Sequence, residues 1–332
     1  MTIQKRFLSL LGGVAFAAAT LATANAQETI VLGDIYAADH SNSVAEAYFA
    51  DLVKERSNGE LIIENYFDST LGNERELAEG VVSGSVDIAP SGVSGIGRFF
   101  PQLQVLELPY LYSGLEQMVE VADAIAPDVD AAFESQGVKN LGFLFLGPRS
   151  MASAKPIHTI EDLEGLRLRV PESPLYVGLA QFMGAVPTPV AFPEVYTALE
   201  TGVAQAAEGE PATLATTRWY EPTKSVSLTK HIWHYRLMPM NLDRFNSLSA
   251  EHQQILLDAA KDTMVYQAGL VNEYNERALQ QIRDAGIEII ETQGIEILAE
   301  RFQEFHDSFA GDLGPEAVAL LDKVRTITRA AE

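Results

Sequence analysis

A layered α/β protein of two lobes is the fold class this sequence predicts, and three observations predict it. Short apolar strands alternate with amphipathic helices along the chain. The alternation is interrupted at Gly147-Pro148 and then begins again with its own turns. A β-rich stretch over residues 225–242 is too long for one lobe, which makes it a strand that crosses back and a hinge candidate. The length of 332 residues and a hydrophobic content of 47% supply enough chain for two cores.

The elements follow in order. Lys5 and Arg6, an apolar run from Phe7 to about Leu21 and Ala24-Asn25-Ala26 form an export signal, with cleavage expected after Ala26. The run is short and contains glycine, which favours a cleaved signal over a membrane anchor. Residues 29–32 read as the first strand, and 43–56 as a helix with Ala47, Phe49, Ala50 and Val53 inward and Gly59 just past its end. Strands at 61–67 and 86–89 flank a helix over 73–82 that closes at Gly84. Residues 103–108 lead to a break at Pro109, a long helix runs from Gly114 to about Gln136, and 141–146 is a fully apolar strand. Beyond the boundary come strands at 166–170, 187–190 and 203–207 and helices over 173–183 and 193–201. Ser249 then caps a helical pattern carrying Leu256, Ala259, Val271 and Ile282. At 1.5 Å per residue it would reach roughly 50 Å, enough to brace both lobes. A strand at 287–290 and two helices complete the chain. The lobes are expected at 27–146 with about 236–270, and at 147–235 with about 271–332, the helix over about 249–285 spanning both.

Composition removes several function classes. With 23 Lys and Arg against 46 Asp and Glu, the net charge is −23, and such a chain repels phosphate backbones, so no nucleic-acid partner is expected. The absence of cysteine removes disulfides, thiolate metal sites and thiol nucleophiles. No GxSxG, HExxH, phosphate-loop or EF-hand pattern occurs, and Gly92-Val93-Ser94-Gly95-Ile96-Gly97 has the wrong glycine order for a dinucleotide fingerprint. His231 and His234 would face opposite sides of an extended segment, and Glu74/Glu76 and Glu161-Asp162 sit at helix starts, where the dipole stabilises them. No catalytic residue, metal site or cofactor is expected.

Two arginines stand out. Arg149 directly follows an apolar strand and Gly147-Pro148. Arg169 lies near the C-terminal end of a strand in which alternation sets Arg167 and Arg169 on one face and the leucines on the other. Open α/β sheets bind ligands at such strand ends, and a guanidinium is a planar fork for a carboxylate; a solvated strand face is the other reading.

From Gly165 to Pro211 the chain carries GLRLRVP, GAVPTPVAFPEVYTALETGV and AEGEP, which resembles the core of the substrate-binding proteins of TRAP transporters. LGNERELAEG from Leu71, LELPYLY from Leu106 and the late long helix extend the resemblance over nearly all of the mature chain. It implies a two-lobed, periplasmic-binding-protein-like fold with crossing hinge strands and a bracing helix, closing on a small organic anion. By the same resemblance Arg169 is the carboxylate clamp, Arg149 an assisting arginine, Phe192 a cleft aromatic, and Glu208 the glutamate of a D-G-x-E-N motif. The asparagine of that motif is missing here, and Glu210 either replaces it or caps the following helix. Ser91-Gly92 stand where sialate-binding members carry a glutamate, so sialate is not expected. Of the nearby aromatics, Tyr36 and Trp233 are the expected contacts, with Trp219, His234 and Tyr235 assigned to the core.

The expected function is a monomeric periplasmic receptor, not an enzyme, that captures a sugar acid or other hydroxylated monocarboxylate and delivers it to membrane permease subunits. C4-dicarboxylates, sulfonates and ectoine-like zwitterions are the alternatives within the family. A periplasmic hydrolase or a sensory protein on the same scaffold is the alternative outside it.

Overall fold

A computed structural model describes residues 27–330, so the expected signal and its cleavage point lie outside the described residues. The chain opens with β1 (Glu28–Gly33), α1 (Ser41–Arg56) and β2 (Leu61–Tyr66), a parallel pair with its crossover helix. α2 (Glu74–Ser83) starts at a capping box, in which Asn73 accepts from the Glu76 amide and Glu76 accepts from the Asn73 amide. It ends at Gly84, whose φ of 80° is a left-handed conformation suited to glycine. The strand expected at 86–89 is reduced to single bridges of Ile88 to Leu32 and to Met240, and a further bridge joins Ser91 to Leu237. A short α3 (Val93–Ile96), a 3-10 turn over Pro101–Glu107, α4 (Leu115–Glu134) and β3 (Val138–Pro148) follow.

Arg149 alone separates β3 from β4 (Ser150–Ser153), which belongs to a different sheet. Then come β5 (Arg167–Val170), α5 (Pro174–Phe182), β6 (Val186–Pro189), α6 (Val195–Glu200), β7 (Ala206–Gly209), α7 (Pro211–Thr216) and β8 (Ser225–Ser227). The β-rich stretch expected at 225–242 is two strands: β8 stays in the second sheet, and β9 (Trp233–Asn241) returns to pair antiparallel with β3. α8 (Leu242–Ser247), α9 (Ala250–Asp284), β10 (Glu288–Ile290), α10 (Ile295–Leu313) and α11 (Pro315–Ala330) complete the chain.

The second sheet has the order β10-β8-β4-β7-β5-β6. The first joins β1 and β2 to β3 and β9 through Ile88. Each buries its own apolar cluster, with Ile30, Leu32, Phe49 and Met240 in the first and Ala207, Leu214, Trp219 and Val226 in the second. α9 is 35 residues long, is capped by Ser249, whose hydroxyl accepts from the His252 amide, and packs on α1 and β3 at one end and on α7 and β10 at the other. α11 packs on α4 and the 3-10 turn, while Phe302 and Phe305 of α10 meet Phe182 of α5. The two-lobed α/β architecture thus places the handover from β3 to β4 and the return into β9 side by side, with a cleft alongside them.

Candidate functional site

Arg169 is carried to the cleft by β5, and its environment separates it from Arg167 on the same face. Arg167 is exposed and donates to the carbonyls of Gly202 and Val203. Arg169 is 2% exposed; its Nε and Nη2 both donate to the Val190 carbonyl, at 2.9 and 2.7 Å, and its guanidinium lies 5.3 Å over the Trp219 ring. Among the described residues it forms no salt bridge and its Nη1 has no hydrogen-bond partner. Burial without a counter-ion pushes its pKa down to about 10.

Arg149 has the opposite surroundings. Nε and Nη2 donate to the two carboxylate oxygens of Glu208, the Nη2 bond at 2.8 Å, and Nη1 donates to Glu210 at 3.0 Å. Both glutamates are fully buried. Burial alone would raise their pKa values, but Arg149 overcomes it, holding Glu208 at about 2 and Glu210 well below the usual carboxylate range. Glu210 occupies the N-cap position of α7 without a capping bond; its carboxylate instead meets Arg149, the His234 ring and the Thr213 hydroxyl. His234 stands between Glu210 and Glu107; burial would lower its pKa, and these two carboxylates raise it to about 9. The chain of contacts reaches across the cleft at both ends, where Tyr176 of α5 donates to Glu107 at 2.7 Å and Thr213 of α7 meets His40 at 3.1 Å.

Tyr36 and Phe192 line the cleft from opposite sides and meet edge to face at 5.4 Å. Tyr36 also stacks on His40 and lies beneath Arg236, a fully buried residue of β9 paired with Asp34. Phe192 leans on Trp219. Glu208 and Glu210 stand behind Arg149 rather than on the cleft surface. Trp233 is not in the cleft: it pairs with Pro148 and packs into the large apolar cluster, and His234, the next residue, lines the cleft instead. Successive residues of a strand face opposite ways, so one position separates the two roles.

Four lining residues carried no local sign in the sequence: Glu74, Ser94, Thr213 and His234. Glu74 and Glu76 both occupy the first turn of α2, yet only Glu76 caps it. The Glu74 carboxylate crosses to accept from the Gly92 amide at 3.0 Å and the Ser94 hydroxyl at 2.7 Å, which sets it on the cleft wall. Among the described residues no cluster of His, Asp and Glu is placed to hold a metal ion.

A two-lobed α/β protein with an unpaired guanidinium buried in its cleft has the makings of a receptor for a small organic anion. Comparison with known proteins makes the class specific. The chain belongs to the DctP family, bacterial extracellular solute-binding protein family 7, whose model matches residues 32–312. It is a solute-binding protein of the TRAP type. It is 30% identical to the 2,3-diketo-L-gulonate-binding periplasmic protein of Escherichia coli K12, over 96% of each chain. A TRAP periplasmic solute-binding protein from Sulfitobacter sp. NAS-14.1, solved with β-D-galacturonate, superposes with a TM-score of 0.85 at 28% identity, covering 90% of this chain and 99% of the other. One from Chromohalobacter salexigens, solved with D-glucuronate, gives 0.86 at 28% identity with the same coverage.

Proposed function

We propose that this protein binds a sugar acid, of the hexuronate or aldonate class, in the periplasm and presents it to the membrane permease of a TRAP transporter. The observation that carries the reading is Arg169: a buried cation with no carboxylate partner among the described residues and a free Nη1 at the cleft. A ligand carboxylate supplies the missing counter-charge, and a charge-assisted bond formed in a dry cleft is strong. Arg149 already has a carboxylate partner on every nitrogen, so it acts mainly by holding Glu208, Glu210 and His234 in place. The other arginines that line the cavity are both paired, Arg149 with Glu208 and Glu210 and Arg75 with Glu79, which favours a ligand with a single carboxylate. Glu74 accepts from ligand hydroxyls opposite the clamp, and Tyr36 and Phe192 cover the C–H face of the ring. The relatives solved with galacturonate and glucuronate support the same ligand class.

Closure follows from ligand contacts on both lobes, with hinges at the β3–β4 handover and the return into β9 and with lobes divided near residues 146 and 235. A ligand that touches Arg169 on one lobe and Glu74 on the other stabilises the closed state over the open one. Titration calorimetry over hexuronates, aldonates and C4-dicarboxylates tests the reading. One-to-one binding of a sugar acid, recovered chemically unchanged, supports it; binding confined to dicarboxylates, or turnover of the ligand, overturns it.

A further inference from the structure

The glycine run that lacks the order of a dinucleotide fingerprint, Gly92-Val93-Ser94-Gly95-Ile96-Gly97, forms the cap, the single turn and the end of α3, and its Ser94 and Gly95 line the cleft. Gly92 and Gly97 have φ values of −70° and −63°, and Gly95 lies inside the helical turn, where alanine is the better helix former. Backbone conformation therefore does not call for glycine here. The space around these positions does.

A Cβ on Gly95 would lie 2.6 Å from Glu74 Cγ, 3.2 Å from its Cδ and 2.5 Å from Ser91 Oγ, against about 3.5–4.0 Å for relaxed carbon contacts. The Ser91 hydroxyl donates to the adjoining Gly92 carbonyl and can turn about one bond. Glu74 is more constrained: with its carboxylate on the Gly92 amide and the Ser94 hydroxyl, its stem crosses directly over Gly95. We infer that Gly95 is a positioning residue of the cleft, whose missing side chain is the seat that holds Glu74 as the acceptor of ligand hydroxyls. The inference rests on the role given to Glu74 above and adds the residue that decides whether the cleft has that acceptor.

Seated in this way, each Glu74 oxygen takes one bond from the protein and keeps acceptor capacity for a hydroxyl. A side chain at Gly95 would push the stem away and take the carboxylate off Gly92 and Ser94. Gly92 leaves room in the same manner for His234: a Cβ there would lie 2.8 Å from the His234 Nε2 and 3.2 Å from Glu107 Oε1. Two glycines three residues apart thus clear the wall for side chains that arrive from α2 and β9.

The test uses the whole mature protein in an S91A background, which removes the hydroxyl clash and leaves Glu74 as the side chain in the way. S91A, S91A/G95A, S91A/E74A and S91A/E74A/G95A are compared by scanning calorimetry without ligand and by titration calorimetry with galacturonate. G95A should lower Tm by several degrees when Glu74 is present and by no more than a degree or two when it is absent, because E74A empties the seat. S91A/G95A and S91A/E74A should each bind galacturonate about tenfold more weakly than S91A, and the triple variant should stay within about twofold of S91A/E74A. An equal Tm loss with and without Glu74, a failure of both G95A proteins to fold, or an S91A/G95A affinity equal to that of S91A overturns the inference and leaves the sugar-acid reading standing. If neither the wild type nor S91A binds galacturonate, the sugar-acid reading falls and the role of the seat in binding falls with it, while the Tm cycle still reports whether Gly95 seats Glu74.

Discussion

The same substitution, Arg to Met, should have opposite consequences at the two arginines of the cleft. Burial holds the Arg169 pKa near 10, well below that of a free guanidinium. At about 1.36 kcal/mol per unit, keeping this group charged costs the ligand-free fold on the order of 3 kcal/mol at neutral pH. The sign is that of a depressed cation: the penalty is present below pH 10 and fades as the pH rises toward the unfolded value. Arg169→Met removes that penalty, keeps most of the apolar stem, and gives up the bonds to the Val190 carbonyl and the stacking on Trp219, together about 3 kcal/mol. The terms nearly cancel, so Tm of the ligand-free protein should stay within a few degrees of wild type. Arg149→Met instead leaves Glu208 buried without its arginine and Glu210 with His234 as its remaining cation. Breaking a buried pair costs about 3–5 kcal/mol, and at about 2–4 °C per kcal/mol Tm should fall by roughly 6–20 °C. Binding reverses the order of interest. Loss of the free clamp should cost about 2–5 kcal/mol, which is roughly 30-fold to several thousand-fold in Kd for galacturonate. Scanning calorimetry of the ligand-free variants and titration calorimetry with galacturonate read both effects. If Arg169→Met loses as much Tm as Arg149→Met, or keeps wild-type affinity, the division into a free clamp and a structural arginine is wrong.

Three further outcomes follow from particular contacts. His234, raised to about 9 by Glu210 and Glu107 against the opposing effect of burial, contributes stability that is full below pH 6.5 and lost as pH climbs through 9, up to about 3 kcal/mol; an imidazole that titrates below pH 7 by NMR would remove this dependence. Glu74→Gln keeps the shape of the side chain but weakens its acceptance of ligand hydroxyls, so galacturonate affinity should drop about tenfold with Tm nearly constant; unchanged affinity would take Glu74 out of the site. Asn73→Ala deletes the capping bond of α2 and should cost about 1 kcal/mol, or about 2–4 °C in Tm, and a silent variant would mean that α2 is held by packing alone.

What could be read from the sequence was whatever period and punctuation encode. The alternation of strands and helices, Gly84 at the end of α2, the Ser249 cap and the reach of α9 all depend on local spacing, and they stand where spacing put them. The resemblance around Arg169 likewise pointed to β5 as the strand that carries the proposed clamp. Errors arose where one residue or one partner decides. Trp233 and His234 differ by a single step along β9, and only its register against β3 tells which of them meets the cleft. Glu74 and Glu76 are equally good first-turn acids, and only the fold brings Gly92 and Ser94 within reach of the first. Glu210 has the sequence position of a helix cap and the tertiary role of a counter-ion. Arg149 and Arg169 show the limit most directly. Each lies at a strand end and near a proline, yet among the described residues one is paired with two carboxylates and the other with none. A charge is written in the sequence; its counter-charge, 59 and 61 residues away for Arg149, is supplied by the fold. In a chain with twice as many acids as bases, a buried arginine left without an acid has to find one outside the chain. That makes the unpaired guanidinium, more than any motif, the feature that calls for a ligand.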